Sequence, residues 1–523
     1  MKTRTLFLLQ LPFWDKGVHS QAASSSSSIT STTPAASPSS SATVPIININ
    51  STVASAFNAT AWALVYTYPL YIFGNFAGNV LRNVGVNEIF HQRNLASVDS
   101  PGVIKPNVDT TYSRVVLDLS KQDLILTVPN ITDRYWVYPV IDSFGNIIAE
   151  IGAVNKNKPG NYLIRRADDV AGPSGLQNAS DLSAATNAQS RPHNASAYAG
   201  IVNLPTTHGT MLIRLLVLQN TTADLNVIHG YQNASRITPI QRNVTLAPSP
   251  AGNISSLAPN GTLLGINSPQ KLLTFASRFV EYNQPELLSE RQRVAGILGA
   301  AGIYNGHNYA PETGVNLTYA SQIANASITA DVNNSSHIRN QGNGWQLSIA
   351  SYQGNFGANY GGRAYVAIAG YQQQTTIQTL YPGYQSTGFT SSASLAANKS
   401  LLITFSRKPI LEQFGFWSLT VYGADQYLIP NSLNRFEVGD RSFNLTYQGS
   451  GNAVYGPSAN KTEDGSFQVL VQPANLVPPT NWTGNWLPAA RDISFITRWY
   501  VPSPAMTNGS YVYPKVETID SIG

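Results

Sequence analysis

The chain contains no cysteine among its 523 residues. That absence excludes a disulfide framework, a thiol nucleophile and a thiolate metal site together. A chain without disulfides must be held by its apolar core, which is feasible for domains well above about 100 residues. Charge is also scarce: Asp, Glu, Lys and Arg make up 11% of the residues, against a usual value of about 25%. The net charge of +5 is carried by scattered Lys and Arg with no basic stripe, so nucleic acid is not an expected partner. No stretch of about 18 consecutive apolar residues occurs, and no membrane span is expected. Gly-x-Ser-x-Gly, His-Glu-x-x-His, a Walker loop and a Gly-x-Gly-x-x-Gly turn after a strand are all missing, which removes the common hydrolase, zinc-protease and nucleotide signatures. No cofactor and no metal site are expected. Of the seven histidines, His19 lies near the N-terminus and no two of the others fall close together. A metal site built from distant ligands would draw first on His91 and His208.

What the chain has in abundance is Asn-x-Ser/Thr. Nineteen such sequons occur, from Asn50 and Asn58 to Asn481 and Asn508. This density fits a glycosylating secretory route, with each glycan marking a solvent-facing segment. The N-terminus agrees: Lys2 and Arg4 precede the apolar run Leu6 to Phe13, and Val18-His19-Ser20 supplies small residues for cleavage. Residues 1–20 are thus expected to be a signal peptide, with Trp14-Asp15-Lys16 interrupting its apolar part. Residues 21–45 are nearly all Ser, Thr, Ala and Pro, a composition that cannot bury apolar surface and suits a disordered stalk. The expected location is extracellular.

Three globular segments are expected beyond the stalk, over residues 46–264, 265–375 and 376–523. In the first, Thr52 can cap a helix that Pro69 ends near Tyr68. Strands follow at Thr110 to Asp118, Leu124 to Val128 and Arg134 to Ile141, spaced as an antiparallel meander, with two more at Asn161 to Ile164 and Thr210 to Leu218. In the second, Ser268-Pro269 caps a helix and Pro285 opens another that stops at Gly299. Asn316 to Asn343 reads as a solvated helix or loop. In the third, Leu401 to Phe405, Phe416 to Tyr422, Phe443 to Tyr447, Phe467 to Val471 and Ser494 to Val501 are β-branched or aromatic runs between turns. The fold class is therefore mainly β with helical segments, two β units flanking central helices.

Several ordered motifs carry a family resemblance. Pro106-Asn107-Val108-Asp109-Thr110-Thr111-Tyr112-Ser113, Leu117-Asp118-Leu119-Ser120, Asp133-Arg134-Tyr135 and Ile141-Asp142 resemble the domain of unknown function catalogued as 1254. Phe416 to Tyr422, Asn431 to Arg435, Gly439-Asp440-Arg441, Asp464-Gly465-Ser466 and Asn485-Trp486-Leu487-Pro488 are similar to its companion catalogued as 1214. The resemblance implies an N-terminal immunoglobulin-like sandwich, central helices and a C-terminal jelly-roll-like sandwich. It supplies no reaction. The sequon-rich stretches Leu176 to Ala199 and Thr221 to Thr262 depart from the family pattern and look like surface insertions.

One constellation has chemistry behind it. Arg214 sits within Met211-Leu212-Ile213-Arg214-Leu215-Leu216-Val217, whose neighbours want burial. A buried guanidinium without a partner costs several kcal/mol, so a carboxylate is expected beside it. Asp109, Asp118 and Asp142 lie on or next to strands of the same unit and Arg134 opens one of them, which suggests an Arg/Asp network. It either fixes strand ends or lines a polar pocket. In the third segment Asn431, Asn434, Arg435, Asp440 and Arg441 cluster after an aromatic strand, where they either build turns or bind. Trp417, Trp482, Trp486 and Trp499 are either a sugar-stacking surface or core. The candidate ligand-binding residues are Asp109, Arg134, Asp142, Arg214, Asn434, Arg435, Asp440 and Arg441, and the seam between the two β units is where a ligand site is first sought. Three functions remain open: binding of a glycan or small polar ligand, a secreted carbohydrate-active enzyme using paired Asp carboxylates, and a structural protein of a cell wall or surface. The oligomeric state is not legible.

Overall fold

The structure is a computed structural model that describes residues 44–53, 55–99, 105–170, 172–178, 195–242, 253–257, 263–304, 308–386 and 389–523. The expected signal peptide, nearly all of the expected stalk, and the sequons at Asn194, Asn243 and Asn260 lie outside the described residues.

The front β unit is a sandwich of two five-stranded sheets. Its strands are Phe90–His91 (β1), Thr110–Asp118 (β2), Asp123–Val128 (β3), Trp136–Asp142 (β4), Ile147–Gly152 (β5), Gly160–Arg166 (β6), Gly175–Gln177 (β7), Gly200–Leu204 (β8), His208–Leu216 (β9) and Arg236–Ile240 (β10). One sheet has the order β1-β2-β9-β4-β5 and the other β10-β3-β6-β8-β7. The three strands expected as a meander are thus split: β2 and β4 each pair with β9, while β3 crosses to the opposite sheet and pairs with β6 and β10. Short loops carry the chain across the sandwich because each strand has an apolar face to bury against the facing sheet. Val115, Leu117, Leu126, Tyr138, Ile164, Ile213 and Leu215 fill the space between.

A helical layer packs on one end of this unit. Its members are Ala56–Asn83 (α1), Pro269–Phe279 (α3), Leu288–Ala300 (α4), Leu317–Val332 (α5) and Tyr360–Gly370 (α6), while Thr222–Ala234 (α2) lies on the sandwich itself. Ser268 caps α3 as the sequence indicates, accepting the Lys271 N–H. Three expectations are corrected. Helix α1 starts after Ser55 and runs through Pro69 to Asn83. Every residue from Ala59 to Leu70 is buried, and that packing outweighs the roughly 3 kcal/mol a proline costs inside a helix. Helix α5 is not a solvated segment: Ala320, Ile323, Ala324 and Ile328 seat it in the helical core. The stretch from Thr221, expected as a surface insertion, begins with α2, whose Ile228 joins the core of the front sandwich.

Beyond the helices come Ile338–Gly342 (β11), Trp345–Ser348 (β12), Thr379–Leu380 (β13), Gly383–Ser386 (β14), Phe389–Thr390 (β15), Ser392–Ser394 (β16), Lys399–Phe405 (β17), Leu411–Gly423 (β18), Glu437–Gly439 (β19), Phe467–Pro473 (β20), Trp486–Ala489 (β21), Asp492–Pro502 (β22) and Lys515–Asp520 (β23). The rear sandwich faces β13-β22-β18-β19 against β21-β20-β17-β23. Phe443 to Tyr447 is not a strand. The Asn485 side chain accepts the Thr446 N–H at 3.1 Å and donates to its carbonyl at 2.8 Å, taking the bonds a neighbouring strand would make. Trp417, Trp486 and Trp499 are buried, so these three tryptophans are core and not a sugar platform. Among the described residues no helix is long and apolar enough to cross a membrane.

Candidate functional site

Strand alternation decides which side chains enter the seam between the two sandwiches. On β9, Ile213 and Leu215 point into the front core, which sends Arg214 and Leu216 outward. On β22, Phe495 and Trp499 fill the rear core, which sends Arg498 and Tyr500 the other way. On β18, Trp417, Leu419 and Val421 face the rear core, leaving Phe416, Ser418, Thr420 and Tyr422 for the seam. The apolar part of the junction is Tyr135, Val137, Leu216, Phe416, Tyr500 and Val501. Phe416 and Tyr500 stack at 3.9 Å, and Tyr135 meets both edge-on.

Asp109 stands at the centre of the polar part and is 1% exposed. One carboxylate oxygen pairs with Arg441 of the rear unit. The other accepts Ser418 Oγ at 2.7 Å and Asn107 Nδ2 at 3.1 Å. Asn107 holds the turn into β2 by accepting the N–H groups of Asp109 and Thr110, and it donates to Tyr500 Oη at 2.7 Å. Arg441 also pairs with Asp440 at 2.8 Å and lies 4.8 Å from the Phe416 ring centroid. The Trp417 N–H, at 3.0 Å, fixes Asp440. Gly439 permits this approach, because a Cβ there would collide with the Trp417 carbonyl. Glu437 completes the group. Burial, with the nearby Asp109 and Asp440 charges, pushes its carboxyl up to about 8 against the pull of Arg441, and among the described residues Glu437 Oε2 has no partner.

Arg214 is corrected. Among the described residues no carboxylate pairs with it. Its Nη1 donates to Tyr112 Oη at 3.0 Å and Nη2 to the Gln372 carbonyl at 3.3 Å, while its guanidinium lies 5.0 Å from the Tyr112 ring. Phenol and carbonyl oxygens satisfy part of the fork, so the buried charge does not demand a carboxylate in contact. Arg498, on the opposing sheet, is held the same way by Thr420 Oγ1 at 3.1 Å, Tyr422 Oη at 2.9 Å and the Lys105 carbonyl.

The other candidates lie elsewhere. Arg134 clamps the strand end near α2, pairing with Asp133 and Asp224 at 2.7 Å each and donating to the Leu216 carbonyl. That contact holds the Asp133 carboxyl below its ordinary value. Asp142 closes the β4–β5 turn, accepting the N–H groups of Phe144 and Asn146 at 2.9 Å and Asn146 Nδ2 at 2.7 Å. Asn434 is exposed in a left-handed turn. Arg435 donates to the carbonyls of Thr483 and Trp486 at 2.6 and 2.8 Å, tying two loops of the rear unit. Asp109, Arg214, Asp440 and Arg441 therefore come together at the seam, and Arg134, Asp142, Asn434 and Arg435 do not. Arg498, Glu437, Tyr381 and Tyr500 were missed. Arg498 was recoverable, since it sits in Phe495-Ile496-Thr497-Arg498-Trp499-Tyr500 just as Arg214 sits among apolar residues.

His91 bonds to Ser113 Oγ at 2.7 Å, with burial pulling its pKa down to about 4. His208 is fully buried against Phe279, with Asn283 on Nδ1. Among the described residues no three His, Asp or Glu gather as a metal site would require. A recess of about 320 Å³ opens at the helical layer between Asn50, Glu290, Arg293, His337, Tyr352 and Asn359, but its ion pair, Glu290 with Arg293 at 2.5 Å, is internally matched.

Comparison with known proteins places the seam at a family boundary. Residues 86–239 match the family described as "Protein of unknown function (DUF1254)" and residues 381–504 match "Protein of unknown function (DUF1214)". Asp109 and Arg214 fall in the first match, and Glu437, Asp440, Arg441 and Arg498 in the second. No curated protein matches the chain. The crystal structure of the VPA0106 protein from Vibrio parahaemolyticus is similar in fold, with a TM-score of 0.56 and 16% identity over 89% of this chain and 100% of that one. A crystal structure of an uncharacterized protein from Burkholderia cenocepacia aligns at a TM-score of 0.39 and 12% identity, over 88% of each chain.

Proposed function

Since this chain belongs to the family that joins a DUF1254 domain to a DUF1214 domain, we propose that the junction of the two is its working part, and that the protein is a secreted glycoprotein binding a small polar ligand or glycan there. The observation that carries this reading is the pairing of Asp109 from one domain with Arg441 from the other, inside a seam that also holds Arg214 and Arg498. Ligand sites recur where domains meet and a few polar groups converge among aromatic side chains. The glycoprotein part is supported by exposure: of the sixteen sequon asparagines among the described residues, thirteen are exposed and none is buried.

Glu437 favours a second reading, a carbohydrate-active enzyme. A carboxyl pushed up to about 8 stays protonated near neutral pH and can act as a general acid. Asp109 and Asp440, however, both grip Arg441, which leaves no free partner carboxylate for the paired mechanism. Incubating the full chain with oligosaccharides and small polar metabolites, and reading melting temperature and product together, tests both. Stabilisation without product, lost in Arg441→Gln, is the expected result. No stabilisation by any member of the panel would defeat the binding reading, and turnover lost in Glu437→Gln would replace it with the enzyme.

A further inference from the structure

Arg214 and Arg498 enter the seam from facing sheets, and they are 6% and 5% exposed. Among the described residues Arg214 makes two hydrogen bonds, to a phenol and a carbonyl, and its buried Nε has no partner. Arg498 is satisfied by a threonine hydroxyl, a phenol and a carbonyl. Tyr112 and Tyr500 lie within electrostatic reach of both guanidiniums, and Tyr381 within reach of Arg214 and Arg498 alike. Lys105 adds a third cation beside Arg498.

The acidic groups facing this cluster are already committed. Both oxygens of Asp109 are taken, by Arg441 on one side and by Ser418 and Asn107 on the other. Glu150, an acid within electrostatic reach of Arg214, bonds to the N–H and Oγ1 of Thr375, and burial favours its neutral form. Like charges brought together out of water repel strongly unless a counter-charge joins them. A guanidinium presents a planar fork that fits a carboxylate, and phenol hydroxyls add donors to the same oxygens.

We propose that the seam takes a small organic carboxylate, whose oxygens bridge the guanidiniums of Arg214 and Arg498 with help from the hydroxyls of Tyr112, Tyr381 and Tyr500. This rests on the seam being the ligand site, and it names the ligand's class. The unpartnered Arg214 Nε is a donor for that anion, and the committed carboxylates leave the site short of negative charge until it arrives.

The full chain is titrated with sodium acetate, sodium malonate, sodium phosphate and neutral saccharides, each against sodium chloride of equal ionic strength, by calorimetry and melting temperature. Acetate or malonate should bind saturably and stabilise, and Arg214→Lys and Arg498→Lys should each weaken that binding at least tenfold. Tyr381→Phe, which keeps both charges and touches a half-buried ring, should weaken it severalfold and guards against a variant that fails to fold. A carboxylate effect no larger than that of chloride overturns the inference. If a neutral saccharide then binds and Arg441→Gln abolishes that binding, the seam remains a ligand site and only the carboxylate assignment falls. If nothing binds, both fall. Phosphate binding without carboxylate binding also overturns the carboxylate class.

Discussion

The buried arginines of the front sandwich's rim and those of the seam occupy similar depths and are treated oppositely. At the rim, Arg134 has Asp133 and Asp224, Arg166 has Asp169, and Arg242 has Asp123 and Asp169 at 3.2 Å each. Each of these three guanidiniums meets a carboxylate from the same unit. In the seam, among the described residues, Arg214 and Arg498 meet phenols, a hydroxyl and carbonyls, and only Arg441 has acids, one from each domain. A charge neutralised within its own unit fixes local structure. A charge left in excess where two units join reserves its interaction energy for something that arrives later.

The sharpest way to break this contrast is at the rim. Arg134→Ala strands Asp224, which also receives the Leu218 and Gln219 N–H groups, and removal of one partner from a buried pair costs about 3–5 kcal/mol. Urea denaturation should show that loss while ligand response at the seam is kept. A loss below about 1 kcal/mol would mean the rim pairs are no more structural than those of an ordinary surface. Next in size, Asp109→Asn should cost about 1.5–3 kcal/mol, the value of hydrogen bonds to a charged group, because Asp440 still holds Arg441. Here stability and ligand response should fall together, which distinguishes the seam from the rim.

Much of this was legible in the sequence because it depends on alternation. The strands at Thr110–Asp118 and Phe467–Pro473 and the capped helix at Ser268 announce themselves through period and cap. The burial of Arg214 followed from its apolar neighbours. Its partner did not, because a guanidinium can also donate to phenol and carbonyl oxygens, and Tyr112 and Gln372 become its neighbours only in three dimensions. Pro69 misled for a related reason: local chemistry says stop, and tertiary burial overrules it. Phe443 to Tyr447 has strand composition, yet Asn485, some forty residues on, takes the backbone bonds.

A further contrast should separate the seam by pH. Burial raises the Glu437 carboxyl to about 8 from an ordinary 4.5, so the folded state binds this proton more tightly than the unfolded chain does. The associated stability is complete below about pH 4.5 and is lost as pH rises through about 8. Glu286, pushed up to about 7 by burial and by Asp142, has the same sign. Melting temperature should fall across that window, and Glu437→Gln should flatten the upper part of the decline. A variant with the wild-type slope between pH 6 and 8 would show that Glu437 ionises freely and that the seam is wetter than its geometry implies.

The weakest expected effect concerns side chains that belong to neither class. Asn481 is exposed on the turn of Thr480–Asn485, and Asn460 and Asn508 accept backbone N–H groups through Oδ1, which leaves Nδ2 open to a sugar. With charge at only 11% of the chain, glycans on such asparagines would supply the hydration that charged residues usually give. Asn481→Gln should therefore shift stability by no more than about 0.5 kcal/mol, leave carboxylate binding unchanged, and raise gel mobility by one glycan when the protein is secreted from a glycosylating host. Unchanged mobility in this variant and in Asn460→Gln and Asn508→Gln would remove the glycoprotein reading while leaving the contrast between rim and seam intact, because that contrast depends on the arginines and their partners and on none of the sequon asparagines.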